Sequence, residues 1–257
     1  MEVFISTIPR NSAMNLSKQS VFAVISAAFL LLFTTVASSK SVVEIKKEPD
    51  VLDLVFILDK SGSMSGFESD TIGGYNSVLA ENRDKKAKTY ITTLLFNDKT
   101  SLLYNREPID KVANLTLDDY PVGGYTALLD AIGEGIEKMR ENRKVTKNNN
   151  VLFIIITDGQ ENSSRKYSQA KIKAMIKSAE TEDKWDFIFL GANIDAISEA
   201  ENIGIKGANA TGYVQDGTGY DKAYRAVNKA VESKQMSAPI SEDWKQEVEA
   251  DVKERQK

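Results

Sequence analysis

The chain has 257 residues, of which 42% are hydrophobic and 27% charged, a balance typical of globular proteins rather than disordered or low-complexity chains. It contains no cysteine and no histidine, which excludes disulfides, thiolate or imidazole metal ligands and Ser–His–Asp catalysis. The net charge of −4 gives no electrostatic support for nucleic-acid binding, and any metal site must consist of oxygen ligands.

The N-terminal segment is typical of a targeting sequence. Residues 21–37 are apolar and uncharged, Lys18 precedes them, and small residues including Ala37 and Ser39 follow. This layout predicts a cleaved signal peptide at 1–39 and an exported protein, either periplasmic, secreted or at the cell surface. An apolar run of 17 residues is also at the lower limit for a membrane span, so an uncleaved anchor at 21–37 is the alternative.

After a polar lead-in at 40–50, apolar runs alternate with amphipathic stretches. Strands are predicted at 51–59, 89–96, 100–105, 151–157, 185–190 and, weakly, near 212–214. Helices are predicted at 67–83, 127–143, 168–182, 195–202 and 220–234. The alternation predicts a doubly wound, mostly parallel α/β sheet of about six strands, with helices on both faces and the third strand as an antiparallel edge. One such domain accounts for 51–235, and 236–257 is predicted to be a charged helical tail, solvated over 242–257.

Three polar segments lie where predicted strands end or a predicted helix begins. They are Asp59-Lys60-Ser61-Gly62-Ser63, Gly123-Gly124-Tyr125-Thr126 and Asp158-Gly159. In a doubly wound sheet, ligands bind outside the carboxyl ends of the strands, at the point where the winding reverses. If Asp59 and Asp158 flank that point, two carboxylates and three hydroxyls converge there. Mg²⁺ is the expected occupant of such an oxygen site, with Mn²⁺ or Ca²⁺ as alternatives.

The three segments together resemble the metal-ion-dependent adhesion site of the von Willebrand factor A (VWA) domain. The family's D-x-S-x-S pattern matches Asp59, Ser61 and Ser63, and its separate Thr and Asp match Thr126 and Asp158. The resemblance covers 51 to about 215, and the segments GFESDTIGGYNS, TALLDAIG and DFIFLGANIDA are similar to small bacterial single-domain members. It implies the Rossmann-like fold of that family.

The resemblance also implies roles for these residues. Ser61 and Ser63 would bind the metal directly, and Thr126 would bind it directly or through water. Asp59 and Asp158 would act largely through water and through hydrogen bonds to the hydroxyls. The family's open coordination position would accept an Asp or Glu carboxylate of a partner protein. Four flanking residues are predicted to contact that partner, namely Lys60, Met64, Tyr125 and Gly159.

Several of these residues have simpler interpretations. Thr126 could be only the N-cap of the following helix, and Asp158-Gly159 only a turn. Ser65 with Glu68 predicts a capping box, which places Ser65 outside the site. Glu161 is predicted to be solvated, with the outer shell of the metal as the alternative. Asp130 and Glu134 are predicted to be solvated or structural.

Three functions therefore remain open. The leading prediction is a non-enzymatic, metal-dependent protein-binding module that uses no nucleic acid and meets a membrane only if residues 21–37 stay uncleaved. A metal-dependent hydrolase acting on phosphoesters is disfavoured, because Ser61 stands where an aspartyl-phosphate enzyme has its second carboxylate. A structural spacer with no ligand is the third.

Overall fold

The strands and helices follow the predicted alternation along the chain. The structure, a computed structural model, describes residues 51–146 and 150–255. The strands are β1 (Val51–Asp59), β2 (Lys88–Phe96), β3 (Thr100–Pro108), β4 (Val151–Thr157), β5 (Asp186–Ala192) and β6 (Ala210–Tyr213). The helices are α1 (Glu68–Arg83), α2 (Leu128–Thr146), α3 (Gln169–Ser178), α4 (Ala196–Ile203), α5 (Gly217–Gln235) and α6 (Gln246–Arg255).

The six strands form one sheet in the order β3-β2-β1-β4-β5-β6. Neighbouring strands are parallel except β2 and β3, which are antiparallel and place β3 at an edge. The chain winds outward from β1 to β3 and then returns to β4 on the other side of β1. The winding therefore reverses between β1 and β4. The predicted doubly wound, mostly parallel sheet with one antiparallel edge strand is confirmed.

Each face of the sheet carries its own apolar core. Alternate residues of β1 show this division, since Phe56 and Leu58 pack on one face and Val55 and Ile57 on the other. Apolar side chains of α1 and α5 cover the first face, and those of α2, α3 and α4 cover the second. A strand covered on both faces needs apolar residues at nearly every position, which explains the nearly continuous apolar run of β1, interrupted at Asp53.

Some local predictions differ from the structure. The helix predicted at 168–182 is regular only to Ser178, and Ala179–Asp183 forms a π-helical turn that ends at Lys184 in the left-handed region, with φ of 62°. The capping box predicted at Ser65 is wrong. The residue at the N-cap position of α1 is Phe67, and the Glu68 carboxylate accepts a hydrogen bond from the backbone of Gly66 at 2.8 Å.

The C-terminal helix is not solvated on all sides, so that expectation is wrong. Trp244 and Val248 are buried against the first core. The Trp244 indole donates to the backbone oxygen of Ala208 at 3.1 Å, and Lys245 Nζ donates to that of Ala210 at 2.7 Å. These contacts attach the segment to the strand edge at β6.

The predicted signal peptide or anchor and the lead-in at 40–50 lie outside the described residues. Within residues 51–146 and 150–255, no helix is long and apolar enough to cross a membrane.

Candidate metal centre

Two aspartates emerge side by side where the winding of the sheet reverses. Asp59 is the last residue of β1, and Asp158 directly follows β4. The two strands are paired in register up to Leu58 and Ile156, so they end at the same level. Both carboxylates are therefore at one edge of the sheet, and both residues are almost completely buried.

Backbone hydrogen bonds hold the loop after β1 against the loop before α2. The backbone N–H of Gly62 donates to the oxygen of Gly124 at 3.0 Å, and that of Gly123 donates to the oxygen of Lys60 at 2.9 Å. Gly124 has φ of +83°, and a side chain on it would collide with the Asp98 carboxylate. Glycine is therefore required at this position, where the two loops meet.

The predicted hydroxyls converge beside the two carboxylates. Ser61 Oγ and Ser63 Oγ lie 3.1 Å apart, and the Ser63 hydroxyl donates to Asp158 Oδ1 at 2.5 Å across 95 residues of sequence. The position of a Cβ built on Gly159 lies 3.1 Å from Thr126 Oγ1 and 3.4 Å from Ser63 Oγ. Ser61 is joined to Asp59, because its backbone N–H donates to Asp59 Oδ1 at 2.7 Å. The structure thus brings all five predicted residues together.

The Thr126 hydroxyl is directed by its backbone contacts rather than by helix capping. Asn162 holds the Thr126 backbone from both sides, with Oδ1 accepting at 2.8 Å and N–H donating at 3.0 Å. The first-turn N–H groups of α2 are taken by other residues, since Leu129 donates to Glu161 Oε2 at 2.9 Å and Asp130 to Ser164 Oγ at 3.0 Å. Within the described part of the chain, the Thr126 hydroxyl makes no hydrogen bond, which leaves its oxygen available to a ligand.

The acidic residues near the site have structural roles. Glu161 also accepts from the backbone of Ser163 at 2.9 Å and Ser164 at 2.7 Å, so it is neither solvated nor directed at the site. Asp130 accepts from three successive backbone N–H groups, those of residues 165–167, at 2.9 to 3.0 Å. Glu134 pairs with Lys166. These contacts shape the loop after β4.

The donor set fits a hard divalent cation. Burial raises the pKa of Asp59 to about 6, despite hydrogen bonds from Thr157 and Ser61 that lower it, and the charge of Asp158 raises it further. Burial thus makes the ionised form of Asp59 less favourable. A nearby cation would offset this effect by stabilising the ionised carboxylate. Among the described residues, no group of three or more Asp, Glu, His or Cys could hold a metal. A cation here would therefore rely on hydroxyl oxygens beside the two carboxylates, a set suited to Mg²⁺.

Three residues at the site were not predicted. The Thr157 hydroxyl donates to Asp59 Oδ2 at 2.5 Å, the Tyr120 hydroxyl donates to the backbone oxygen of Asp59, and Gln215 Nε2 donates to Asp158 Oδ2. Thr157 directly precedes Asp158, so its position beside the motif was a usable signal. Tyr120 and Gln215 lie 61 and 57 residues from their partners and carry no local signal.

The flanking residues differ in their access to a partner. The Tyr125 side chain is 68% exposed, Lys60 is half-buried, and Gly159 lies against Thr126. Met64 is fully buried in the first core, with its sulfur 3.9 Å from the Tyr220 hydroxyl. In this conformation Met64 cannot contact a partner, because the turn Gly62–Met64 directs it inward.

Comparison with known sequences connects this geometry to a protein family. A family model described as "VWA domain containing CoxE-like protein" matches residues 33–181, more than half of the chain. The collagen alpha-6(VI) chain of Homo sapiens is 26% identical over 169 residues, which are 63% of this chain and 7% of that protein. The chain therefore spans only a small fraction of the curated relatives that it matches.

Solved structures share the fold. A von Willebrand factor type A protein from Catenulispora acidiphila superposes with a TM-score of 0.52 at 14% identity, covering 71% of this chain and 43% of that one. The PilB minor pilin from Streptococcus sanguinis gives a TM-score of 0.52 at 11% identity, covering 74% and 63%. At these identities the likeness concerns the fold.

Proposed function

Because this chain belongs to the family of VWA domain containing CoxE-like proteins, we propose that it is a non-enzymatic module that binds protein partners through a divalent cation. The cation is Mg²⁺, with Mn²⁺ or Ca²⁺ as alternatives. Ser61, Ser63 and Thr126 supply hydroxyl oxygens, while Asp59 and Asp158 hold the hydroxyls and supply negative charge. The observation that carries the proposal is the convergence of these five residues at the switch point of the sheet.

The partner supplies a carboxylate. Neutral hydroxyls transfer little charge to a bound cation, and the two aspartates are already engaged as hydrogen-bond acceptors. A cation held in this way remains electrophilic, so an Asp or Glu of the partner is the natural additional ligand. Ser63 is exposed, which leaves the site open to solvent on that side. Tyr125, exposed beside Thr126, provides an aromatic contact at the rim.

The arrangement of the aspartates favours binding over hydrolysis. A general base must be able to accept a proton from the attacking water. The two oxygens of Asp59 accept from Ser61 and Thr157, and those of Asp158 accept from Ser63 and Gln215. Each of these oxygens already accepts a hydrogen bond from the protein, which fixes the carboxylates in place and makes them weaker bases. The chain should not hydrolyse p-nitrophenyl phosphate in the presence of Mg²⁺.

The site also suits an exported protein if the N-terminal segment acts as predicted. Its ligands are oxygens, and the chain has no cysteine to be oxidised outside the cytoplasm. The site would then meet partners in the periplasm, at the cell surface or in the medium.

Thermodynamic coupling between the cation and a carboxylate tests the proposal. Mg²⁺ is titrated into the full chain by calorimetry, with and without acetate as the carboxylate probe. Acetate should tighten Mg²⁺ binding, and Mg²⁺ should tighten acetate binding by the same factor. Ser63→Ala should abolish both effects, whereas Ser65→Ala, an exposed neighbour outside the site, should leave them unchanged. Saturable Mg²⁺ binding that acetate does not affect would refute the carboxylate mechanism.

A further inference from the structure

A single glutamine side chain connects the ends of three neighbouring strands. Gln215 follows β6 by two residues, and its Nε2 donates to Asp158 Oδ2 just beyond β4. Its Oε1 accepts from the Nδ2 group of Asn193, the residue that follows β5. Gln215 is half-buried, so the bridge lies at the edge of the proposed cation site rather than deep in the core.

The orientation of this amide follows from its two partners. The NH₂ end of Gln215 donates to Asp158, and its oxygen accepts from Asn193. Asn193, with φ of 54°, occupies the left-handed conformation that asparagine tolerates better than most residues. The next residue, Asp216, caps α5 by accepting from the Gly219 backbone at 2.8 Å, which anchors the chain beside Gln215. The amide is therefore held at both ends.

The hydrogen bond from Gln215 places a donor on the second oxygen of Asp158. Ser63 donates to Oδ1 and Gln215 donates to Oδ2, so each oxygen accepts one hydrogen bond from the protein. Asp59 is engaged in the same way by Ser61 and Thr157. With one donor fixed on each oxygen, the Asp158 carboxylate is held in one orientation, and turning both oxygens toward a cation would break at least one of these hydrogen bonds.

We propose that Gln215 determines the metal specificity of the site by keeping Asp158 from chelating a cation, which favours Mg²⁺ over Ca²⁺. This inference rests on the proposed function. Ca²⁺ takes six to eight oxygens in flexible geometry and commonly includes a bidentate carboxylate, whereas Mg²⁺ takes six and retains water. Gln215 is a positioning residue, because it acts on the cation only through Asp158.

The ratio of the two affinities measures this role. Calorimetry on the full chain gives the Kd values for Mg²⁺ and for Ca²⁺ in the wild type and in Gln215→Ala. Removing a hydrogen-bond partner of a metal-site residue changes metal affinity by about 10- to 100-fold. Gln215→Ala should therefore weaken Mg²⁺ binding and strengthen Ca²⁺ binding, lowering the ratio Kd(Ca²⁺)/Kd(Mg²⁺) by about tenfold or more. General loosening of the fold would instead weaken the binding of both cations and leave the ratio of their Kd values unchanged.

Two further variants sharpen the test. Gln160→Ala is the matched control, because Gln160 lies two residues from Asp158 yet its side chain contacts Glu199, at 3.5 Å. It should keep the wild-type ratio. Gln215→Glu replaces the donor with a second carboxylate and should lower the ratio further than Gln215→Ala. Thermal unfolding in chelator checks that each variant is folded.

The outcomes separate the two proposals. If the wild type binds Mg²⁺ and Gln215→Ala keeps the wild-type ratio, the role of Gln215 is refuted while the proposed function stands. A wild type that binds neither cation, even with acetate present, overturns both.

Discussion

A methyl group added at Gly159 should weaken cation binding while leaving the fold intact. The new Cβ would lie 3.1 Å from Thr126 Oγ1 and 3.4 Å from Ser63 Oγ, closer than most such contacts in proteins. One or both hydroxyls must then move by a few tenths of an ångström. Gly159 is not among the glycines with positive φ, so alanine brings no backbone strain.

The size of the effect follows from the geometry that the cation requires. Mg²⁺ needs nearly ideal octahedral distances, so a shift of this size in two ligands should cost on the order of tenfold in affinity. The same shift should lower the free energy of unfolding only slightly, because the added methyl also reduces the conformational entropy of the unfolded chain. Gly159→Ala should therefore change the free energy of unfolding by less than about 1 kcal/mol.

The assay compares Gly159→Ala with Gly73→Ala. Calorimetry gives the Kd for Mg²⁺, and urea unfolding in chelator gives the stability. Gly73 lies in α1, and a Cβ there has no other atom within 4 Å. Its replacement should add about 0.5–1 kcal/mol of stability and leave the Kd unchanged. Wild-type Mg²⁺ affinity in Gly159→Ala would refute the placement of the cation beside Thr126 and Ser63.

Three further variants test other parts of the structure. The pKa of Asp59 in the folded chain, about 6, exceeds its ordinary value of 3.8, so its contribution to stability is present below 3.8 and lost as pH rises through 6. Urea unfolding in chelator should show the wild type losing up to about 3 kcal/mol relative to Asp59→Asn between pH 4 and pH 7. Parallel pH profiles would contradict this. Glu161→Ala removes the acceptor for the first turn of α2 and should lower the free energy of unfolding by about 1–2 kcal/mol; no loss would mean that the loop is held by other contacts. Trp244→Ala should cost about 3–5 kcal/mol by urea unfolding and leave the Kd for Mg²⁺ unchanged, whereas a solvated tail would show no loss.

The fold and the convergence of five polar residues at one edge of the sheet could be predicted because their signals are local. β1 and β4 are almost entirely apolar, as strands covered on both faces require. The carboxyl ends of parallel neighbours share one edge of a sheet, so Asp59 and Asp158 were expected to meet once the alternation of strands and helices was recognised. The spacing indicated where these segments meet, and the resemblance to the VWA family singled out the five residues.

The parts that sequence reasoning missed depend on packing. Met64 belongs to the motif segment, but a short 3-10 turn directs its side chain into the core. Gln215 reaches Asp158 because β6 lies two strands from β4 in the sheet. The local sequence around Gln215 does not indicate this strand order. Trp244 lies in a tail that is mostly charged, so the sequence did not indicate that one of its faces is buried.

Binding of the cation itself tests the central claim most directly. Mg²⁺ and Mn²⁺ are titrated by calorimetry into the full chain and into Asp158→Ala, each with acetate present as a carboxylate ligand. The proposed site predicts saturable binding of one cation per chain in the wild type and none in the variant. Absence of saturable binding in the wild type, or equal binding in Asp158→Ala, would contradict it.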